Sequence, residues 1–236
     1  MKKAMLIRVG NDHYCDADKI KSGLTFDFIP TEENWGKKEL LDSIWYDMIK
    51  SRVSKTKSLA EIYPRLKKKR CHLDPYFPKY YTYKKFNKST YCDPGIIKAE
   101  FLKTLNKGDL LVFFWGIKVN NKKQLFIIGY FYVEKIIDLD FCTRKKIKEL
   151  RKKYFSAHLI RQSPEGVLVI GSNGKLLDKP IRLTQKIKKK STIYIIKPKY
   201  KYLLGINEIQ SSSIFIKVLV QKEFLKLKNL LKNKKD

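Results

Sequence analysis

Long apolar runs are missing from the sequence. None approaches the roughly 18 residues needed to cross a bilayer as a helix, so no membrane partner is expected. Met1 to Arg8 is basic, but no extended apolar stretch or small-residue cleavage site follows it. It is read as a first strand rather than a leader, and the chain is expected to be cytoplasmic. Cysteine is sparse: Cys15, Cys71, Cys92 and Cys142 are scattered with no C-x-x-C pair. His13, Cys15, Cys71, His72 and Cys92 are residue types that suit zinc, but their spacing matches no standard zinc pattern. Thiols commonly fill cores, so neither a metal nor another cofactor is expected. The sequence also has no Gly-rich phosphate loop, no dinucleotide fingerprint and no H-E-x-x-H. Gly171-Ser172-Asn173-Gly174 misses the spacing of a hydrolase nucleophile elbow.

Acid is the scarcest of the charged classes. Asp and Glu number 23 against 52 Lys and Arg, a net charge of +29. Such a field concentrates polyanions and steers them in, which makes nucleic acid or nucleotides the expected partner. A Lys-rich composition also arises in heat-adapted proteins, but there Glu rises with Lys, and here it does not. The charge is unevenly spread. Residues 1–50 hold nine acids against eight bases, so the whole positive excess lies beyond them. Early carboxylates therefore either pair with the basic body or line a site.

Local patterns point to a mixed chain. Residues 4–9 read as a strand ending at the Gly10-Asn11-Asp12 turn, and 24–29 as a short extended piece before Pro30. From Lys37 to Val53, Leu40, Leu41, Ile44, Trp45, Met48, Ile49 and Val53 fall at helical spacing. A Lys-, Tyr- and Pro-rich stretch over 54–92 is too long for a plain connector. Asp93-Pro94 opens a second helix as cap and first residue, with Ile97, Phe101, Leu102 and Leu105 inward. Leu110–Ile117 and Gln124–Ile137 form a hairpin around Asn120-Asn121-Lys122-Lys123. Residues 143–155 read as a basic helix, Val167–Ile170 as a strand, and Ser172-Asn173-Gly174 as a turn. Thr192–Ile196 is a further strand and Phe224–Leu231 a closing amphipathic helix. The expected division is one domain over 1–210, then a strand, a helix and a Lys-rich tail over 211–236. The class is α+β.

Chemistry-bearing residues fall into four groups. His72-Leu73-Asp74-Pro75 and Tyr91-Cys92-Asp93-Pro94 bring a carboxylate beside an imidazole, which can orient a base catalyst or grip a nucleobase edge. Ordinary Asx-Pro turn chemistry explains the same aspartates. Asp12 and His13 after the first strand, with Glu32 and Glu33 after Pro30, form either a site rim or solvent-facing turns. His158, three residues before Arg161, is either a satisfied core histidine or, with Arg161, a phosphate contact. The basic runs Arg65–Arg70, Arg144–Lys153 and Lys186–Lys201 interleave with Tyr63, Tyr80, Tyr81, Tyr83, Tyr194, Tyr200 and Tyr202. That is the layout of a single-strand or flipped-base binder, although one lysine run alone is more often a solvated face.

Four blocks in this order carry a resemblance: His72–Phe77 with Thr90–Asp93, Lys107–Gly116, Phe126–Glu134, and Ala157–Arg161. Together with the opening Ile7–Asp12, they resemble the nucleotide modification associated domain family, third type, over roughly residues 4–184. Tyr76 stands where that family tends to have an acid, and Cys92 where it tends to have glycine. The resemblance implies association with systems that modify or hypermodify DNA bases. Helix, Gly-Asp and hydrophobic hairpin are also similar to PUA-like folds, the group with the EVE and ASCH domains. This implies a small curved sheet or barrel with flanking helices and a pocket for a modified or extruded base. The pocket expected on that basis comprises His72, Asp74, Tyr91, Asp93 and His158, with Asp12 at the rim. Arg161, Lys67, Lys68, Lys69, Lys188, Lys189 and Lys190 would hold the backbone. The alternative is an enzyme acting on nucleotides or DNA bases, with His72 or His158 as general base. A third reading is an accessory protein whose basic face only docks.

Overall fold

The computed structural model describes residues 1–9, 26–33, 44–54, 56–81, 86–119, 122–187, 193–210 and 216–232. In chain order the elements are β1 (Lys3–Arg8), β2 (Thr31–Glu32), α1 (Leu59–Ile62), β3 (Cys71–His72), β4 (Ser89–Asp93) and α2 (Ile96–Lys103). Then come β5 (Leu110–Val119), β6 (Lys122–Asp138), α3 (Arg144–Lys153), β7 (Val167–Arg182), β8 (Thr184–Ile187) and β9 (Ile193–Ile196). The chain closes with α4 (Pro198–Leu204), β10 (Glu208–Gln210), β11 (Ile216–Val220) and α5 (Gln221–Lys232). The class is α+β, as expected.

Side chains alternate across a strand, so a strand apolar at every position must be covered on both faces. β1 and β5 are such strands. Met5, Ile7, Leu111, Phe113, Trp115 and Ile117 enter one core, while Ala4, Leu6, Leu110, Val112 and Phe114 enter another. They lie inside a six-stranded sheet of order β11-β1-β5-β6-β7-β4, in which β1 and β5 run parallel and every other neighbouring pair antiparallel. On β6 the inward parity switches: Phe126 and Ile128 share a core with Phe131 and Val133. The switch follows from a bulge, because Phe113 pairs with Gly129 and Phe114 with Ile127, leaving Ile128 as the extra residue. The second core is covered by α4 and α5 through Tyr200, Leu203, Leu204, Phe224, Leu227 and Leu231, and by the small sheet β10-β9-β8.

The sheet does not close into the barrel that was one expectation. Its last strand, β4, has its outer edge occupied by a loop: Tyr76 and Thr90 exchange both backbone hydrogen bonds, at 2.9 and 3.1 Å. β11 pairs with β1 at the opposite edge.

Four local readings are corrected. Residues 44–53 of the expected 37–53 helix form a 3-10 turn at Tyr46–Met48 flanked by extended backbone, and 37–43 lie outside the described residues. Other segments claim the backbone groups a helix would use: Cys71 donates to the Ile44 carbonyl and Leu59 to that of Ile49, both at 2.7 Å. Asp93 ends β4 rather than capping a helix. Gly95 is the N-cap of α2, and its N–H donates to Asp93 Oδ1 at 2.9 Å. On α2, Leu102 is buried, but Ile97 and Phe101 face solvent. Ser172-Asn173-Gly174 sits inside the long strand β7, where Asn173 takes a φ of 51° and the register against β6 shifts. The β5–β6 hairpin, α3, β9 and α5 lie where the pattern placed them.

Candidate functional site

β2 and β3 form a two-stranded ribbon in which Thr31 pairs with His72 and Glu32 with Cys71. Glu33, the next residue, is thereby brought onto His72, and its Oε2 lies 2.7 Å from His72 Nδ1. A carboxylate at Nδ1 fixes the orientation of the ring. Two residues on, Asp74 is buried. Its carboxylate accepts the Cys92 N–H at 3.0 and 3.2 Å and the Ser156 hydroxyl at 3.2 Å, tying the loop to β4 and to the 155–161 segment.

That segment brings in the second imidazole. His158 is 6% exposed, its backbone N–H donates to Ser156 Oγ at 3.3 Å, and its ring meets that of His72 edge-on at 4.7 Å. Donor atoms of His72, Asp74 and His158 all lie within 4.8 Å of one another. His158 Nδ1 is fully buried with no hydrogen-bond partner among the described residues. Such an atom forfeits its hydration without compensation unless something binds there.

Beside this cluster, the Tyr91 hydroxyl donates to Asp93 Oδ2 at 2.7 Å, and the same oxygen pairs with Lys98 of α2 at 3.1 Å. Arg161 is buried as well, with Glu165 Oε1 3.8 Å from its Nη1. Burial dominates the electrostatics. It pushes the Asp74 carboxyl well above the usual range, against the Cys92 and Ser156 hydrogen bonds. It holds His158 well below the ordinary histidine value, helped by His72, Arg161 and Lys98. The Tyr91 hydroxyl and Cys92 thiol are raised chiefly by burial. His158 is therefore a neutral imidazole at pH 7, able to accept a hydrogen bond or donate a lone pair.

The structure thus brings together His72, Asp74 and His158, with Tyr91 and Asp93 paired alongside. Asp12, Lys188, Lys189 and Lys190 lie outside the described residues. Lys67 and Lys68 are exposed on the turn that leads into β3, and Lys69 pairs with Glu32 at 2.8 Å. Glu33 is the residue whose role emerges only here. It was one of the early carboxylates weighed as rim or turn, and the β2–β3 ribbon gives it a partner. Ser156 and Lys98 carried no signal in the sequence. Tyr63, Tyr81, Tyr194 and Tyr200, expected to interleave with the basic runs, are core residues, whereas Tyr202 is exposed with Lys226 Nζ 3.5 Å from its ring centre.

The family model described as nucleotide modification associated domain 3 matches residues 29–211, most of the chain and the entire cluster. The chain belongs to this family. No curated protein and no solved structure matches it. Within this nucleotide modification associated domain, the two histidines arrive from opposite halves of the matched region, His72 on β3 and His158 after α3. Among the described residues no helix is long and apolar enough to cross a membrane.

Proposed function

We propose that this domain binds a nucleic-acid base or modified nucleotide at the His72–Asp74–His158 cluster, in the service of DNA base modification. The observation that carries the reading is His158, a neutral buried imidazole whose Nδ1 has no hydrogen-bond partner among the described residues. An acceptor of this kind beside the buried Asp74 carboxyl can read donor and acceptor positions on a base edge. Tyr91 and Asp93 border the pocket, and Asp12 is assigned to its rim. The PUA-like kinship belongs to the same proposal. It is supported by the succession of α2, the Gly108-Asp109 turn and the long β5–β6 hairpin.

Backbone contacts fall to the basic surface. α3 presents Arg144, Lys145, Lys148 and Lys152 to solvent, and Arg151 anchors it to the cluster's own segment by donating to the carbonyls of Leu159 (2.9 Å) and Arg161. Lys67–Lys69 stand on the turn into β3, and Lys188–Lys190 are assigned to the same task. Such contacts supply salt-dependent affinity without sequence information. Arg161, buried beside the cluster, favours a ligand carrying negative charge.

One observation favours a second reading, an enzyme acting on nucleotides or DNA bases. The Glu33 carboxylate on His72 Nδ1 is the arrangement that orients an imidazole as general base. The test is salt-dependent binding, in EDTA, to matched single- and double-stranded DNA and RNA with and without modified bases. His72→Ala and Asp74→Asn should lose base preference and keep the general affinity. Conversion of the bound base by the wild type would move the assignment to the enzyme. Weak binding that is uniform across ligands and unchanged by either substitution would leave only a docking surface and defeat the pocket reading.

A further inference from the structure

We propose that His72, Asp74 and His158 bind a first-row divalent transition-metal ion. This departs from the sequence expectation of no metal. It shares the pocket with the proposed base binding but does not rest on it. Two observations converge. The donor atoms lie within 4.8 Å of one another. A tetrahedral ion with ligands at about 2.0–2.1 Å needs donors roughly 3.4 Å apart, a contraction of less than about 1 Å per ligand. His158 Nδ1 is buried with no hydrogen-bond partner among the described residues, so this ring brings an uncompensated nitrogen to the cluster.

The supporting shell is already built. Metal-ligating histidines almost always donate their other ring N–H to a carboxylate, a backbone carbonyl or water. Glu33 is that carboxylate for His72, at 2.7 Å. Ligating carboxylates are in turn hydrogen-bonded. Asp74 accepts from Cys92 and Ser156, which uses three of its roughly four lone-pair directions and leaves one on Oδ1. The cations facing the cluster are Arg161 and Lys98. Glu33, Asp74 and Asp93 oppose them, and Lys98 is itself paired with Asp93.

The donor set selects the ion class. Two imidazoles and one carboxylate suit zinc, iron(II), cobalt or manganese over magnesium or calcium, which prefer oxygen. Three protein ligands leave coordination positions open, as in sites where a metal holds or activates a small ligand rather than staples a fold. Cys71 and Cys92 are free buried thiols outside this donor group, and His13 and Cys15 lie outside the described residues.

The experiment uses the full chain, stripped with EDTA and dialysed, without nucleic acid. Titration with Co2+ followed by visible absorption, with Zn2+ as competitor, should show saturable stoichiometric binding that Mg2+ does not displace. His158→Gln and His72→Gln should each weaken it by at least about 100-fold, and Glu33→Gln by about 10- to 100-fold. Should a variant fail to fold, the wild type decides alone. The chain has three histidines, so Zn2+ should shift the ring NMR signals of His72 and His158 and leave those of His13, identified with His13→Gln. Lack of Co2+ uptake, affinity unchanged in His158→Gln and Glu33→Gln, or movement of His13 alone would each overturn the site. Base binding in EDTA is read separately, so either reading can fail without the other.

Discussion

Replacing Asp74 by alanine should cost far more stability than replacing it by asparagine. The carboxylate is the acceptor for two buried donors, the Cys92 N–H and the Ser156 hydroxyl. Alanine strands both, and a buried donor left without an acceptor costs about 1–3 kcal/mol. The two donors differ in their freedom. The Cys92 N–H is fixed in β4, where it cannot turn away, whereas the Ser156 hydroxyl can rotate. Removing a carboxyl that burial disfavours returns part of the loss. The balance is a destabilisation of about 2–4 kcal/mol, or about 4–15 °C in Tm for a chain of this size. Asparagine keeps a carbonyl for Cys92 and an amide that Ser156 Oγ can accept, so its cost should stay within about 1 kcal/mol. Thermal denaturation of the three proteins in EDTA, monitored by circular dichroism, measures the difference. Alanine and asparagine variants melting together, within about 2 °C of wild type, would refute the assignment of Asp74 as the tie between its loop, β4 and the 155–161 segment.

Gly171→Ala should be destabilising by about 1–3 kcal/mol, since a Cβ there would lie 2.1 Å from the Phe131 ring; urea unfolding checks it. Neutralising Lys145, Lys148 and Lys152 of α3 together should flatten the log K against log salt slope for DNA by about 2–3, with base preference unchanged. Cys71 and Cys92, whose thiols burial raises well above the ordinary value, should be inert to a disulfide reagent at pH 8 until urea unfolds the chain, with Cys142 reacting earlier. Burial pushes the Tyr76 hydroxyl up to about 12 and raises Tyr91 also. Their contribution to stability is therefore complete below the unfolded value near 10 and lost as pH climbs above it. Tyrosinate absorbance should appear together with loss of structure rather than ahead of it.

The sequence by itself determined β1, the β5–β6 hairpin and the family. Strands apolar on both faces, such as β1 and β5, are legible because their pattern leaves no solvent side. The hairpin, α3 and α5 follow from local chemistry in the same way. The ordered blocks from His72 to Arg161 were sufficient for the resemblance that the family model bears out. Local pattern failed where distant backbone intervened. Ile44 and Ile49 show helical spacing, but their carbonyls are taken by Cys71 and Leu59, so the apolar side chains are buried from an irregular segment. The same limit governed the site. His72 and Asp74 are neighbours in the chain and could be read together, but Glu33, Ser156 and His158 reach them only through the β2–β3 ribbon and the loop laid along β4. Only the tertiary structure decided that the rings of two histidines 86 residues apart meet edge-on, because no spacing in a linear chain encodes a contact made by strand pairing.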